Sequence, residues 1–236
     1  MKIQLIADGS TKWQRTIKRW GISFLIGEDV LFDTFGDPRV FEANVRKYKI
    51  DLSKVRHVVI SHDDWDHIAG LWGVLERYKD LTVYVVPHFK KELKERIQSF
   101  GVKLVETPEP VMIRENVYTT GELVGASLRG MLYEQALVIK ESGRLAVVTG
   151  CAHPKLSDIL QAARSAFHQQ VDLLIGGFHL KDMEPGMIRE IVESLPRLGV
   201  CRVVPLHCTG KAAVKEFERF YVDNAISLRE GSFIEV

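Results

Sequence analysis

Ser61 to Gly70 reads SHDDWDHIAG, and the six residues from His62 to His67 hold two imidazoles and three carboxylates around one tryptophan. An ordinary turn is made from Gly, Asn, Ser and a single Asp, so this stretch is built for something else. Histidines and carboxylates at this density suit divalent metal ions. Alternate residues of an extended segment point the same way, so His62 and Asp64 can serve one ion. Asp66 and His67 can turn toward a second ion as a helix begins. Asp63 and Trp65 are expected to face away. The competing explanation is helix capping, because Asp is favoured at an N-cap and beside a positive helix terminus. Capping accounts for one Asp but not for three between two histidines.

Four further strand ends carry unusual polar residues. Asp33-Thr34 closes an apolar run from Val30. Gly150-Cys151-Ala152-His153-Pro154 follows the apolar run Leu145–Thr149, His179 follows Val171–Ile175 and Gly176-Gly177-Phe178, and His207-Cys208-Thr209-Gly210 follows Arg202–Leu206. If these strands share a sheet and a direction, their ends converge on one edge, where α/β proteins place ligands. On spacing alone, His153 and His207 stand open between ligand and structural roles. His179 sits in a Gly-Gly-Phe-His corner that a tight turn would also explain. His57, His88 and His168 read as structural or solvated.

The elements that must position these residues follow from periodicity. Val55–Ile60 reads as a buried strand into the cluster, and Ile68, Leu71, Trp72, Leu75 and Tyr78 mark an amphipathic helix after it. Trp20–Ile26 and Val30–Asp33 form a hairpin signal. Helices are predicted over Arg39–Tyr48, through Phe89 to Phe100, through Leu156 to Phe167, after Pro185 and around Val214 to Phe220. Asp8–Lys18 reads as a polar loop. Pro108–Leu132 loses helical periodicity and reads as a β meander, and the chain closes with strand-like Ala225–Leu228 and Ser232–Val236. Hairpins and βα units in both halves imply a sheet-on-sheet core with helices outside. With no linker or repeat in view, one domain over residues 1–236 is expected.

Composition narrows the class. A net charge of +1 offers no global attraction for nucleic acid or an anionic membrane. No apolar run approaches the ~20 residues needed to span a bilayer, and the start of the chain turns polar too early for a signal peptide, so a cytoplasmic location is expected. Three scattered cysteines do not make a disulfide scaffold. Neither a Ser-His-Asp arrangement nor a Gly-rich phosphate loop competes with the metal reading.

SHDDWDHIAG resembles the metallo-β-lactamase signature S-H-x-H-x-D-H followed by a small residue and Gly. LFDT (Leu31–Thr34) resembles the superfamily's strand ending in Asp-Thr-Gly, with Phe35 in place of the Gly. Within the superfamily, VVTGCAHP (Val147–Pro154), IGGFHL (Ile175–Leu180) and HCTG (His207–Gly210) resemble the group built around a dihydropterin ribofuranosylaminobenzene phosphate synthase of archaeal pterin biosynthesis. The resemblance implies an α/β protein, an αββα sandwich of two mixed β-sheets flanked by helices. It implies two divalent metal ions, zinc first. His62, Asp64 and His153 would hold one ion; Asp66, His67 and His207 would hold the other. Cys151 falls where the superfamily often has a bridging Asp, so Cys151 and His179 are further candidates as ligands or near neighbours. Asp64 stands where the pattern has His, which makes that site harder and brings iron or manganese beside zinc. The implied activity is hydrolysis of an ester-type bond (a phosphoester or phosphodiester, a lactone or a thioester) by a metal-bound hydroxide, with Asp66 as the catalytic carboxylate. The alternatives are a pterin-pathway synthase or cyclic-phosphate hydrolase, and a binding module that has lost catalysis. The expected partner is a small molecule, and a phosphate-bearing one would suit Lys12, Arg15, Lys18 and Arg19. A nuclease is disfavoured by the near-neutral charge.

Overall fold

A computed structural model describes residues 1–127 and 130–236. The chain divides into two compact units, one of residues 1–108 with 228–235 and one of residues 109–227 with Val236.

The first unit is built on a seven-stranded mixed sheet. In chain order its elements are β1 (Lys2–Gly9), α1 (Lys12–Thr16), β2 (Gly21–Ile26), β3 (Val30–Phe32), α2 (Pro38–Lys47), β4 (His57–Val59), α3 (Trp65–Ile68), α4 (Leu71–Arg77), β5 (Thr82–Val85), α5 (Lys91–Gln98) and β6 (Lys103–Glu106). The C-terminal strand Phe233–Glu235 pairs antiparallel with β1, and β1, β2 and β3 continue antiparallel. From β3 to β6 the pairing is parallel, with Phe32 beside Val59. Parallel neighbours require crossovers, which α2, α3 with α4, and α5 supply. Phe24, Phe32, Leu5 and Ile26 are fully buried, each contributing roughly 1.5–3 kcal/mol.

Two elements of this unit differ from the expected ones for identifiable reasons. The helix predicted over Ile68–Tyr78 is two helices. The carbonyl of His67 accepts from the Thr34 amide at 2.8 Å and from the Thr34 hydroxyl at 2.9 Å, so the turn after β3 captures it. Gly70 then passes so close to Thr34 that an added Cβ would lie 2.3 Å from the Thr34 carbonyl oxygen. The polar stretch Asp8–Lys18 is not all loop: Thr11 Oγ1 accepts from the Gln14 amide and Gln14 Oε1 accepts from the Thr11 amide, a capping box that starts α1. α2 begins as its sequence implies, with Asp37 accepting from the Arg39 amide and Pro38 in the first turn.

The second unit contains β7 (Met112–Arg114), β8 (Val117–Thr119), β9 (Leu123–Ser127), β10 (Gly130–Glu134), β11 (Leu137–Glu141), β12 (Arg144–Thr149), α6 (Leu156–Phe167), β13 (Val171–Gly177), α7 (Pro185–Ser194), β14 (Arg202–Leu206) and α8 (Lys211–Tyr221). Its six-stranded sheet runs β14-β13-β12-β11-β8-β7, and β9 with β10 form a separate two-stranded ribbon. Of the meander expected over Pro108–Leu132, residues 128 and 129 lie outside the described residues. β12, β13 and β14 are mutually parallel. α6 and α8 pack on this sheet through Ile159, Leu160, Ala163 and Phe217, with the Phe178 and Phe217 rings 5.3 Å apart. Ala225–Leu228 is no strand; Ala225 makes one isolated bridge to Val203.

The candidate strand ends therefore do not share one sheet. Asp33 and His62 follow parallel neighbours of the first sheet; Cys151, His179 and His207 follow parallel neighbours of the second.

Phe35 has φ +63° and is 1% exposed. The left-handed conformation typical of a Gly is kept although a large side chain fills the position. Phe35→Gly relieves about 1–2 kcal/mol of backbone strain and removes a buried phenyl, whose truncation typically costs about 3–5 kcal/mol. A net loss of roughly 1–4 kcal/mol in urea unfolding is the expected result, and a stabilised variant would contradict it.

Candidate metal centre

In the first unit a buried carboxylate organises the cluster. Asp33 is fully buried at the end of β3 with φ +53°. Its Oδ1 accepts from the Ser61 amide at 2.7 Å, and its Oδ2 accepts from the Ser61 hydroxyl at 2.7 Å and from His67 Nδ1 at 2.6 Å. Ser61 Oγ in turn lies 2.9 Å from His62 Nδ1. With the Ser61 proton given to Asp33, this oxygen accepts from His62 Nδ1–H. Both histidines are thus held as the tautomer whose coordinating nitrogen is Nε2.

The Nε2 atoms point at carboxylates in the pairs the spacing predicts. His62 Nε2 lies 3.8 Å from Asp64 Oδ2, and His67 Nε2 lies 3.5 Å from Asp66 Oδ2. The two rings are 4.1 Å apart. Asp64 has the backbone of an N-cap for α3, yet its side chain makes no cap hydrogen bond, so capping does not explain it. Asp63 reaches toward Lys90 at 3.7 Å, and Trp65 is 40% exposed.

Burial opposes charge on His67, but the carboxylates of Asp33 and Asp66 outweigh it and hold His67 well above its usual value. Burial pushes the Asp33 carboxyl up, against the pull of His67 and Ser61. A divalent ion at Nε2 must displace a proton there. Zinc added to metal-stripped protein at pH 7 should therefore release a proton, read by calorimetry in buffers of different ionisation enthalpy. In the metal-free protein the His67 contribution to stability is complete below the unfolded value near 6.5 and is lost as pH rises through the raised native value. Buffer-independent heats of zinc binding would contradict the proton release.

The second unit assembles its own set around Glu134, which is 1% exposed at the end of β10. Glu134 Oε1 accepts from the amides of Cys151 and Ala152, and Oε2 accepts from the amide and Nδ1 of His153, all at 2.9 Å. Four donors on one carboxylate fix the loop after β12 and again direct Nε2 of a candidate ligand away from the clamp. Glu134→Gln turns one acceptor atom into a donor facing donors; a His153-dependent metal affinity about 10–100-fold weaker is expected, measured by competition with a chelating dye. An unchanged affinity would exclude this role.

His207 is buried immediately after β14, and His179 is exposed with its ring 4.4 Å from that of His153. Ala152, His179 and His207 have φ of +61°, +50° and +49°. Such strained corners cost of order 1–3 kcal/mol each and collect at functional sites. Candidate ligand atoms of Cys151, His179 and Cys208 all lie within 4.8 Å of one another. The sequence reading had none of Glu134, the double clamp of Asp33, or Cys208 as part of this group. The donor set suits a metal: imidazoles of fixed tautomer, carboxylates beside them, and acceptors behind them.

The beta-lactamase superfamily domain model matches residues 28–208, and the chain belongs to the beta-lactamase superfamily. A relative from Methanocaldococcus jannaschii, 7,8-dihydropterin-6-methyl-4-(beta-D-ribofuranosyl)-aminobenzene-5'-phosphate synthase, is 26% identical and aligns over 91% of this chain and 89% of its own. Among solved structures, Tm1679, described as a metal-dependent hydrolase of the superfamily, is 28% identical, with a TM-score of 0.79 over 100% of this chain and 99% of its own. YhfI from Bacillus subtilis, a metallo-β-lactamase fold protein, is 15% identical with a TM-score of 0.70 over 99% of each chain. The fold expected from the motifs, the metallo-β-lactamase fold with two mixed β-sheets flanked by helices, is the fold of this chain. No helix among the described residues is long and apolar enough to cross a membrane.

Proposed function

We propose that the chain is a metal-dependent hydrolase of small-molecule ester-type bonds in the cytoplasm, acting over residues 1–236 as one functional domain. The observation that carries this reading is the shared design of His62, His67 and His153: each Nδ1 is engaged by Ser61, Asp33 or Glu134, which makes Nε2 the coordinating atom. His62, Asp64 and His153 would hold one ion; Asp66, His67 and His207 would hold the other. Asp64 makes the first set harder than three imidazoles would be, so iron or manganese competes with zinc there. Two divalent cations held there would supply Lewis acidity to a bound water and to the scissile group. Asp66 orients the attacking water and accepts its proton, while Asp33 keeps the His67 ring from turning.

Purified protein should contain close to two divalent ions per chain. Stripping them should abolish turnover of whichever of bis-p-nitrophenyl phosphate, a lactone or a thioester is hydrolysed, and adding them back should restore it. Turnover that survives stripping would overturn the proposal. A second reading, synthase chemistry on a reduced pterin, is favoured by the Methanocaldococcus jannaschii relative. It is preferred if the metal-loaded protein hydrolyses none of the panel but forms a product carrying both a dihydropterin and a ribofuranosylaminobenzene phosphate, detected by mass.

A further inference from the structure

We propose that Cys151, His179 and Cys208 form a further, thiolate-rich position for a thiophilic closed-shell ion of the zinc class, beside the six ligands assigned above, since the Cys151 sulfur also lies within 4.8 Å of candidate ligand atoms of His153 and His207. The placement is topological. β12, β13 and β14 are adjacent and parallel. Cys151, His179 and Cys208 each stand two residues past the last residue of their strand, Thr149, Gly177 and Leu206. Three neighbouring strands thus deliver one soft donor each to the same edge, and the donor atoms lie within 4.8 Å of one another. A tetrahedral zinc ion, with Zn–S about 2.3 Å and Zn–N about 2.0 Å, needs its ligand atoms roughly 3.5–3.8 Å apart, so adjustments of about an ångström close the site.

The backbone makes room for the sulfur. A Cβ on Gly177 would lie 2.7 Å from Cys208 Sγ and 2.3 Å from the Gly150 carbonyl oxygen. The amide of His179 donates to Cys208 Sγ at 3.3 Å, a contact that favours the thiolate. Both cysteines are 4% exposed whereas His179 is open to solvent, so an ion enters over the imidazole and a fourth position stays open there. Two thiolates and one imidazole form a softer set than the carboxylate-bearing sets. An ion seated on His179 also abuts the His153 ring, 4.4 Å away.

Cadmium titrated into the metal-stripped full chain reads this site directly, because only thiolate ligands give a sulfur-to-cadmium charge-transfer absorption. The wild type should develop that band, and Cys208→Ser should lose half of it or more together with one bound ion. His179→Ala should weaken that ion's binding about 10–100-fold. Cys201→Ser, at the exposed cysteine elsewhere, should change nothing. Absence of the band in the wild type, or its full retention in Cys208→Ser, overturns the site. If Cys208→Ser loses its native circular dichroism, His179→Ala decides: unchanged affinity overturns it. The hydrolytic centre is counted separately, as the ions lost in His62→Ala while the Cys208-dependent part of the band persists.

Discussion

Asp66→Ala should lower kcat/KM for ester hydrolysis by at least the ~10²–10⁴-fold that a positioned proton acceptor contributes, and by more because a proposed ion ligand is lost as well. Asp66 is 6% exposed in the first turn of α3, with Oδ2 3.5 Å from His67 Nε2. The turn that captures the His67 carbonyl fixes the backbone beside it. Asp66 therefore has little backbone freedom. Asp66→Asn separates the two roles. The amide keeps an oxygen for the ion but cannot accept the proton at neutral pH, so metal content should fall less than kcat. Removal of a carboxylate from beside His67 should also bring the His67 pKa down, because Asp66 is one of the two groups that raise it. An Asp66→Ala protein that keeps wild-type kcat/KM would remove Asp66 from the mechanism.

The six-residue cluster could be read from the chain because its chemistry is local. Five ionisable groups in a strand-to-helix corner exceed what turn or capping chemistry needs, and period-two alternation already sorts His62 with Asp64. Asp33 was visible only as a polar strand end. Its partners lie 28 and 34 residues away, and no local pattern reports a hydrogen bond across a sheet. Glu134 was less visible still, since a single Glu beside an apolar strand reads as solvated; the clue was a charge between Tyr133 and the buried run Ala136–Ile139. The capping box at Thr11–Gln14 was a local signal open to reading. The break at Gly70 was not, because the carbonyl that would continue the helix is taken by Thr34, far away in the chain. The grouping of Cys151, His179 and Cys208 needed the strand order, which periodicity alone does not give.

Asp33→Ala should be among the most destabilising substitutions in the first unit. It leaves the Ser61 amide, the Ser61 hydroxyl and His67 Nδ1–H without their shared acceptor in a fully buried place. Removing one partner of a buried ion pair typically costs about 3–5 kcal/mol, so a loss of that size is expected in urea unfolding. Through Ser61 the same carboxylate sets the His62 tautomer, so ligands of both proposed ions are disturbed together. Metal affinity should fall about 10–100-fold, and at both ions rather than one. Asp33→Asn sharpens the test. Its amide is close in shape but brings a donor to a place where the Ser61 hydroxyl and His67 already donate. One of those protons must move, and if His67 shifts its proton to Nε2, that nitrogen can no longer coordinate. Asp33→Asn should then keep more stability than Asp33→Ala while losing comparable metal affinity. Proton NMR of the two imidazoles would report the tautomers directly. An Asp33→Asn protein with wild-type tautomers and full metal content would show that the imidazoles are held by something other than this carboxylate.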